Sequence, residues 1–186
     1  MHRRPLRRLL ERYAEAWPAE RALAGRFLAF VDAHPDCLQR SCVPGHVTAS
    51  SWIVDAAAER ALLTHHRKLG KWLQLGGHVD GATDVPGACL REAQEESGMT
   101  RFAFWPGEEG ARVPLDLDVH EIPARGDEPA HLHWDVRFLL VAGRGQPLVV
   151  SAESHDLAWV PIHELEDFTT EESVLRMHRK SREVMA

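Results

Sequence analysis

The stretch from Gly77 to Met99 constrains this chain more than any other segment. It reads Gly-His-Val-Asp-Gly-Ala-Thr-Asp-Val-Pro-Gly-Ala-Cys-Leu-Arg-Glu-Ala-Gln-Glu-Glu-Ser-Gly-Met, a glycine-rich turn followed by a short helix that stops at Gly98. At about 100° per helical residue, Glu95 and Glu96 fall roughly 60° and 40° to either side of Glu92, so three carboxylates share one face. Like charges at that spacing destabilise a bare helix by a few tenths of a kcal/mol per pair. A hard dication removes the conflict, because Mg²⁺ and similar ions take oxygen ligands and favour carboxylates together with substrate phosphates. The face reads as a metal site. The plainer reading is a solvated acidic helix in which Arg91 and the glutamates pair with neighbours. The Gly76-Gly77 pair before the helix and the Gly98 stop after it favour the metal.

The segment resembles the Nudix box of the Nudix hydrolase superfamily, G-x5-E-x7-R-E-U-x-E-E-x-G-U, where U is a bulky apolar residue. Gly77 opens the box, Arg91-Glu92-Ala93-Gln94-Glu95-Glu96-Ser97-Gly98-Met99 closes it, and the spacing before Arg91 is kept. There are two departures. Thr83 stands where the family usually carries glutamate, with Asp84 one place later, and small Ala93 stands where a larger apolar residue is common. The resemblance implies an α/β/α sandwich with a mixed sheet, here preceded by an N-terminal helical segment. It implies that Glu92, Glu95 and Glu96 hold Mg²⁺ or Mn²⁺, that the Gly76 carbonyl adds a ligand, and that Arg91 orients the glutamates. Thr83 then weakens a supporting contact rather than removing a ligand, and Asp84 is the candidate replacement.

Composition agrees with one catalytic domain carrying an added helical element. At 186 residues, 44 % apolar and 27 % charged, the chain can bury a sizeable core. Its 22 basic and 28 acidic residues give a net charge of −6, so no global basic field points to nucleic acid. Cys37, Cys42 and Cys89 are odd in number and lack metal-ligand spacing, as expected of a reduced, cytoplasmic protein. No apolar run is long enough to span a bilayer, and the arginine-rich start lacks the apolar core of a signal peptide.

Apolar residues recur at helical spacing over Leu6–Trp17 and Ala19–His34, with Pro18 between the two and Pro35 after the second. We therefore expect residues 1–40 to form a helical extension and 41–186 the catalytic domain. The locally basic segment from Met1 to Arg12 could touch an anionic partner, pack across the catalytic domain, or lie at a homodimer interface. Strands are expected at Val47–Asp55, Arg60–His65, Trp72–Leu75, Thr100–Trp105, Val113–Ile122, His131–Ala142 and Leu157–Val160, and helices at Ile162–Phe168 and Glu171–Val184.

Two further segments carry chemistry. A strand over His131–Phe138 would put His131, His133, Asp135 and Arg137 on one face. Three readings are open. That face could line the substrate cleft, with Arg137 contacting a phosphate bidentately and His133 and Asp135 beside it; it could be the exposed side of a plain strand; or H-x-H-x-D could be an independent zinc site. Glu153, in the loop before Trp159, resembles in placement a glutamate that serves many Nudix hydrolases as a further metal ligand or as the base that activates water, with His155 and Asp156 as fallbacks. The polar run His65-His66-Arg67-Lys68 could meet phosphates or simply be solvated. Trp52, Trp105, Trp134 and Trp159 could stack on a nucleobase, although a strand tryptophan is more often core.

The resemblance thus implies metal-assisted hydrolysis of a small-molecule diphosphate, a nucleoside diphosphate linked to another group, of the nucleotide-sugar, dinucleotide or nucleoside triphosphate type. Specificity would come from loops outside the box, with Pro106–Arg112 and Ala124–Ala130 as candidates. Two rivals are a non-catalytic Nudix-fold ligand-sensing module and a Nudix-fold isomerase of isoprenyl diphosphates. The three intact glutamates argue against the first, and Cys42 and Cys89 read as small buried apolar residues rather than the catalytic cysteine of the second.

Overall fold

The computed structural model describes residues 2–106, 112–152 and 154–186. Its axis is strand β1 (Gly45–Val54), which pairs in parallel with β7 (His131–Ala142) from Gly45 opposite Leu132 to Val54 opposite Val141. The other edge of β1 is shared by two antiparallel partners. Strand β4 (Leu75–His78) takes Thr48–Ser51, and β2 (Arg60–His66) takes Ile53 and Val54. The far edge of β7 is divided in the same way between β6 (Asp116–Ile122) and β5 (Phe102–Trp105). Strands β3 (Lys71–Leu73) and β8 (Ser154–Pro161) complete the sheet on the two sides of β2.

Side chains alternate across a strand, so this register sorts the sheet into two faces. Val47, Ala49 and Ile53 of β1 join Trp134, Val136, Phe138 and Leu140 of β7 in a core that includes helix α3 (Val85–Ser97). The same core takes in α1 (Arg4–Ala16) through Leu6, Leu9, Leu10 and Tyr13, and α2 (Arg21–Ala33) through Ala24, Phe27, Phe30 and Val31. Phe30 stacks on Trp134 at 4.3 Å and Phe27 meets that ring edge-on at 5.0 Å. On the opposite face Trp52, Val54 and Leu139 pack with Val174 and Met177 of α5 (Glu172–Met185). The result is an α/β/α sandwich on a mixed sheet, as expected. The N-terminal hairpin shares its core.

The differences from expectation are local. The segment Trp72–Leu75 is two short strands, because the chain changes partner at Gln74 from β2 to β1. Residues Ile162–Glu164 form a 3₁₀ turn, and only Leu165–Phe168 (α4) is α-helical. A second 3₁₀ turn, Pro18–Glu20, joins α1 to α2.

A buried ionic network fastens the hairpin, β6, β7 and α5 together. Arg137, 1 % exposed, reaches Asp135 at 2.7 Å, Asp118 at 3.1 Å and Asp116 at 3.2 Å. Arg176 adds bonds of 2.8 Å to Asp116 and Asp118. Lys180 bonds Asp116 at 3.1 Å, Glu20 at 3.0 Å and the Tyr13 hydroxyl at 2.7 Å, while Tyr13 donates to Glu20. Burial alone would raise the Asp118 carboxyl; the His120 hydrogen bond and the charges of Arg137 and Arg176 outweigh it and hold the group well below the usual carboxylate range. Its folded pKa is therefore depressed, and its contribution to stability is present above the unfolded carboxylate pKa of about 4 and fades as the pH falls below that. Breaking a buried pair by removing one partner costs about 3–5 kcal/mol, because uncompensated charge is left inside. Arg137→Met is therefore expected to lower the urea-unfolding free energy by about that much at neutral pH. A loss under about 1 kcal/mol would show that the network is dispensable.

Candidate active site

Helix α3 is shaped by its ends. The Asp84 carboxylate caps it, accepting a hydrogen bond from the Gly87 amide at 3.1 Å, and Pro86 suits the first turn, where no amide partner is needed. It terminates at Gly98, whose φ of +72° lies in the left-handed region that glycine tolerates. Between the ends, Ala88, Cys89 and Ala93 are buried against the sheet, and the Cys89 thiol donates to the Ser50 carbonyl at 3.2 Å. Ala93 is completely enclosed, which accounts for a small residue at that place.

This packing hangs the glutamates over the glycines of β4. Glu96 is buried and accepts a hydrogen bond from the Gly76 amide at 2.8 Å. The Glu92 carboxylate lies so close to Gly77 that a Cβ on that residue would collide with it. Glu95 points outward, with its side chain 61 % exposed. Arg91 ties the group together: it pairs with Glu92 at 2.8 Å and Glu95 at 3.4 Å, and donates to the His78 carbonyl at 2.9 Å. Glu92 and Glu96 thus converge on the Gly76-Gly77 backbone, an all-oxygen donor set that suits a hard cation better than a soft one. Asp84 is engaged as the helix cap and is not part of this convergence.

Gly76, Gly77 and His78 also border a cavity of about 430 Å³. Its floor is the uncovered half of the face that α5 covers elsewhere, with Thr48 and Ser50 from β1 and His131, His133 and Asp135 from β7. His66, Lys68, Arg40, Arg125 and Glu128 stand around it. Of the expected substrate-binding residues, His133 and Asp135 do line the cavity. Asp135 is already engaged, accepting from Thr48 and Ser50 at 2.9 Å and from Arg137 at 2.7 Å. Arg137 does not line the cavity; its guanidinium is enclosed by three aspartates, which leaves no fork for a phosphate. The acids that enclose it, Asp116 and Asp118, come from β6, a partner that strand β7 does not announce.

Glu153 lies outside the described residues, as do residues 107–111 of the first candidate specificity loop. His155 is exposed near His65, their rings 5.5 Å apart, and Asp156 bonds the Leu157 amide at 2.8 Å. In the second loop Ala124, Arg125 and Glu128 reach the cavity. Trp52 and Trp134 are core residues; Trp159 is half-buried, and Trp105 is exposed, bonding the Val184 carbonyl through its indole at 3.1 Å. Sequence reasoning missed Thr48 and Ser50, because only the pairing of β1 with β7 brings them to the cavity, and it missed His46, which the same pairing buries against His133.

The sequence model of the NUDIX domain matches residues 44–181. This chain belongs to the Nudix family. Among solved structures, a NUDIX-family hydrolase from Clostridium perfringens is similar with a TM-score of 0.57 at 22 % identity, over 73 % of this chain and 95 % of that one. An Ap4A hydrolase from C. elegans gives 0.57 at 18 %, over 75 % and 96 %. A MutT NUDIX hydrolase from Burkholderia pseudomallei gives 0.51 at 26 %, over 70 % and 94 %. Comparison with curated proteins found no match. The matched region begins after α2, so this Nudix chain has built a helical hairpin into the core of the shared fold.

Asp84→Ala should cost about 1 kcal/mol of stability in chemical unfolding, the ordinary worth of an N-cap. A change near zero would mean that the helix start does not rely on this carboxylate.

Proposed function

We propose that this protein hydrolyses a diphosphate that joins a nucleoside to another group, in a reaction that requires Mg²⁺ or Mn²⁺. The observation that carries the reading is the convergence of Glu92 and Glu96 on Gly76-Gly77 at the edge of the cavity. The residues that would hold the cation are Glu92, Glu95, Glu96 and the Gly76 carbonyl. When bound, the cation supplies positive charge against the diphosphate oxygens and acidifies a nearby water.

The chain's own residues do the rest. Arg91 holds Glu92 and Glu95 in place from the β4 side. Lys68, Arg40 and Arg125 give the cavity a cationic rim for phosphate; one such charge about 4 Å from a phosphate oxygen is worth roughly 4 kcal/mol at an effective dielectric of 20. A carboxylate, either Glu153 or a box glutamate, takes a proton from water as the water oxygen bonds to phosphorus. The bridging oxygen leaves with the other phosphate. The products are a nucleoside monophosphate and a second phosphorylated compound, or pyrophosphate when the substrate is a triphosphate. Substrates of the nucleotide-sugar, dinucleotide and nucleoside triphosphate types all fit this scheme. The names of two similar structures, an Ap4A hydrolase and a dihydroneopterin triphosphate pyrophosphohydrolase, are compatible with it. The three free thiols, all buried, support work in a reducing compartment such as the cytoplasm.

The test is a panel of such diphosphates with Mg²⁺ and with Mn²⁺, products identified by mass. Wild type should cleave at least one. Glu96→Gln should lose at least about 100-fold in turnover, the lower range for a removed catalytic carboxylate, with an unchanged unfolding midpoint. A folded, fully active Glu96→Gln would sink the assignment.

A further inference from the structure

The parallel register of β1 and β7 sets His46 directly opposite His133, and His131 lies two residues away on the same face. The three ring centroids stand 4.9 Å (His46 to His133), 5.0 Å (His46 to His131) and 5.2 Å (His131 to His133) apart. Each ring offers a nitrogen within 4.8 Å of those of the other two. His46 is 2 % exposed, and neither of its ring nitrogens has a hydrogen-bond partner; nor does Nε2 of His133. Buried polar atoms nearly always find a partner, so three orphans in one place call for an explanation.

His131 supplies a second sign. Its Nδ1 lies 2.9 Å from the Pro129 carbonyl and donates to it, leaving Nε2 as the free acceptor. That is how ligating histidines are commonly held, with the far nitrogen bonded to a carbonyl or carboxylate. Burial also lowers the proton affinity of the cluster: His46 is pushed down to about 4, by burial first and then by His78 and His131, and His133 is lowered for the same reason. Neutral imidazole is the form that binds metal.

We propose that His46, His131 and His133 form a binding site for a transition-metal dication of the zinc type, separate from the glutamates and open to the cavity at its fourth position. A tetrahedral ion about 2.0–2.1 Å from each nitrogen needs nitrogens roughly 3.3 Å apart, so the rings, whose nitrogens now lie within 4.8 Å of one another, must turn inward to close on it. Three protein ligands with one open position is the pattern of zinc sites that accept water or substrate. The two sites sort by ligand chemistry: oxygen donors over Gly76-Gly77 for a hard cation, imidazoles on the floor for a borderline one. Asp135, the third member of the H-x-H-x-D pattern, is held by Thr48, Ser50 and Arg137, and His46 takes its place.

The test is equilibrium dialysis of the full chain against Zn²⁺ in a large excess of Mg²⁺, with bound zinc measured by elemental analysis. One zinc per chain is expected. His46→Asn and His131→Asn should each weaken binding at least about 100-fold, the upper range for loss of a mere supporting contact, while Glu96→Gln keeps its zinc. Thermal unfolding identifies folded variants. Should His46→Asn fail to fold, His131→Asn and the visible spectrum of wild type loaded with Co²⁺, expected to be tetrahedral, decide. No zinc on folded wild type, zinc kept by the histidine variants, or zinc lost only with Glu96→Gln would overturn the proposal.

Discussion

The pairing of β1 with β7 is the constraint on which the molecule rests. It is parallel, runs the length of β1, and fixes which side chains face which layer. A slip of β7 by one residue would turn Trp134, Val136 and Phe138 out of the core and put His133, Asp135 and Arg137 in their place. The same register puts Thr48 and Ser50 against Asp135 and carries β4, with Gly76 and Gly77, to the open edge of β1. The glutamates of α3 meet those glycines because α3 packs on β1 and β4 from the opposite layer. Cavity and carboxylates are thus joined by one strand ladder and one short glycine ribbon.

The ionic network explains why half of the β7 polar face is structural. Along one strand, His131 and His133 open on the cavity, Asp135 is held at its floor, and Arg137 is enclosed by acids. Lys180 and Tyr13 extend the same network into the N-terminal hairpin. Helices α1 and α2 therefore help hold the sheet that bears the site, although they lie outside the matched family region.

What could be read from sequence was what is encoded locally. Helix α3 carries its stop at Gly98 and its carboxylate spacing in its own residues, so its acidic face was legible, whereas Asp84, expected as a stand-in for the missing box glutamate, caps the helix. The strict alternation from His131 to Arg137 likewise gave the right shared face and the strand β7. How far along that face the cavity extends was not legible, since it depends on β6 acids and on α5, which are distant in the chain. The split of β3 from β4 at Gln74 follows from a change of neighbour, which the residues Trp72–Leu75 do not reveal by themselves. Trp52 and Trp134 went to the core for the usual reason that a large ring on a central strand is best buried. His46 carried no mark in its own segment; its meaning arises only opposite His133.

The proposed reaction delivers water to a phosphorus atom at the Gly76-Gly77 edge under the glutamate helix. Turnover of a diphosphate substrate in water labelled with heavy oxygen, followed by mass analysis of both products, tests it most directly. The expected result is label in the phosphoryl group of one product, with turnover lost on chelation and restored by Mg²⁺ or Mn²⁺. Products free of label, or turnover unaffected by chelation, would contradict it.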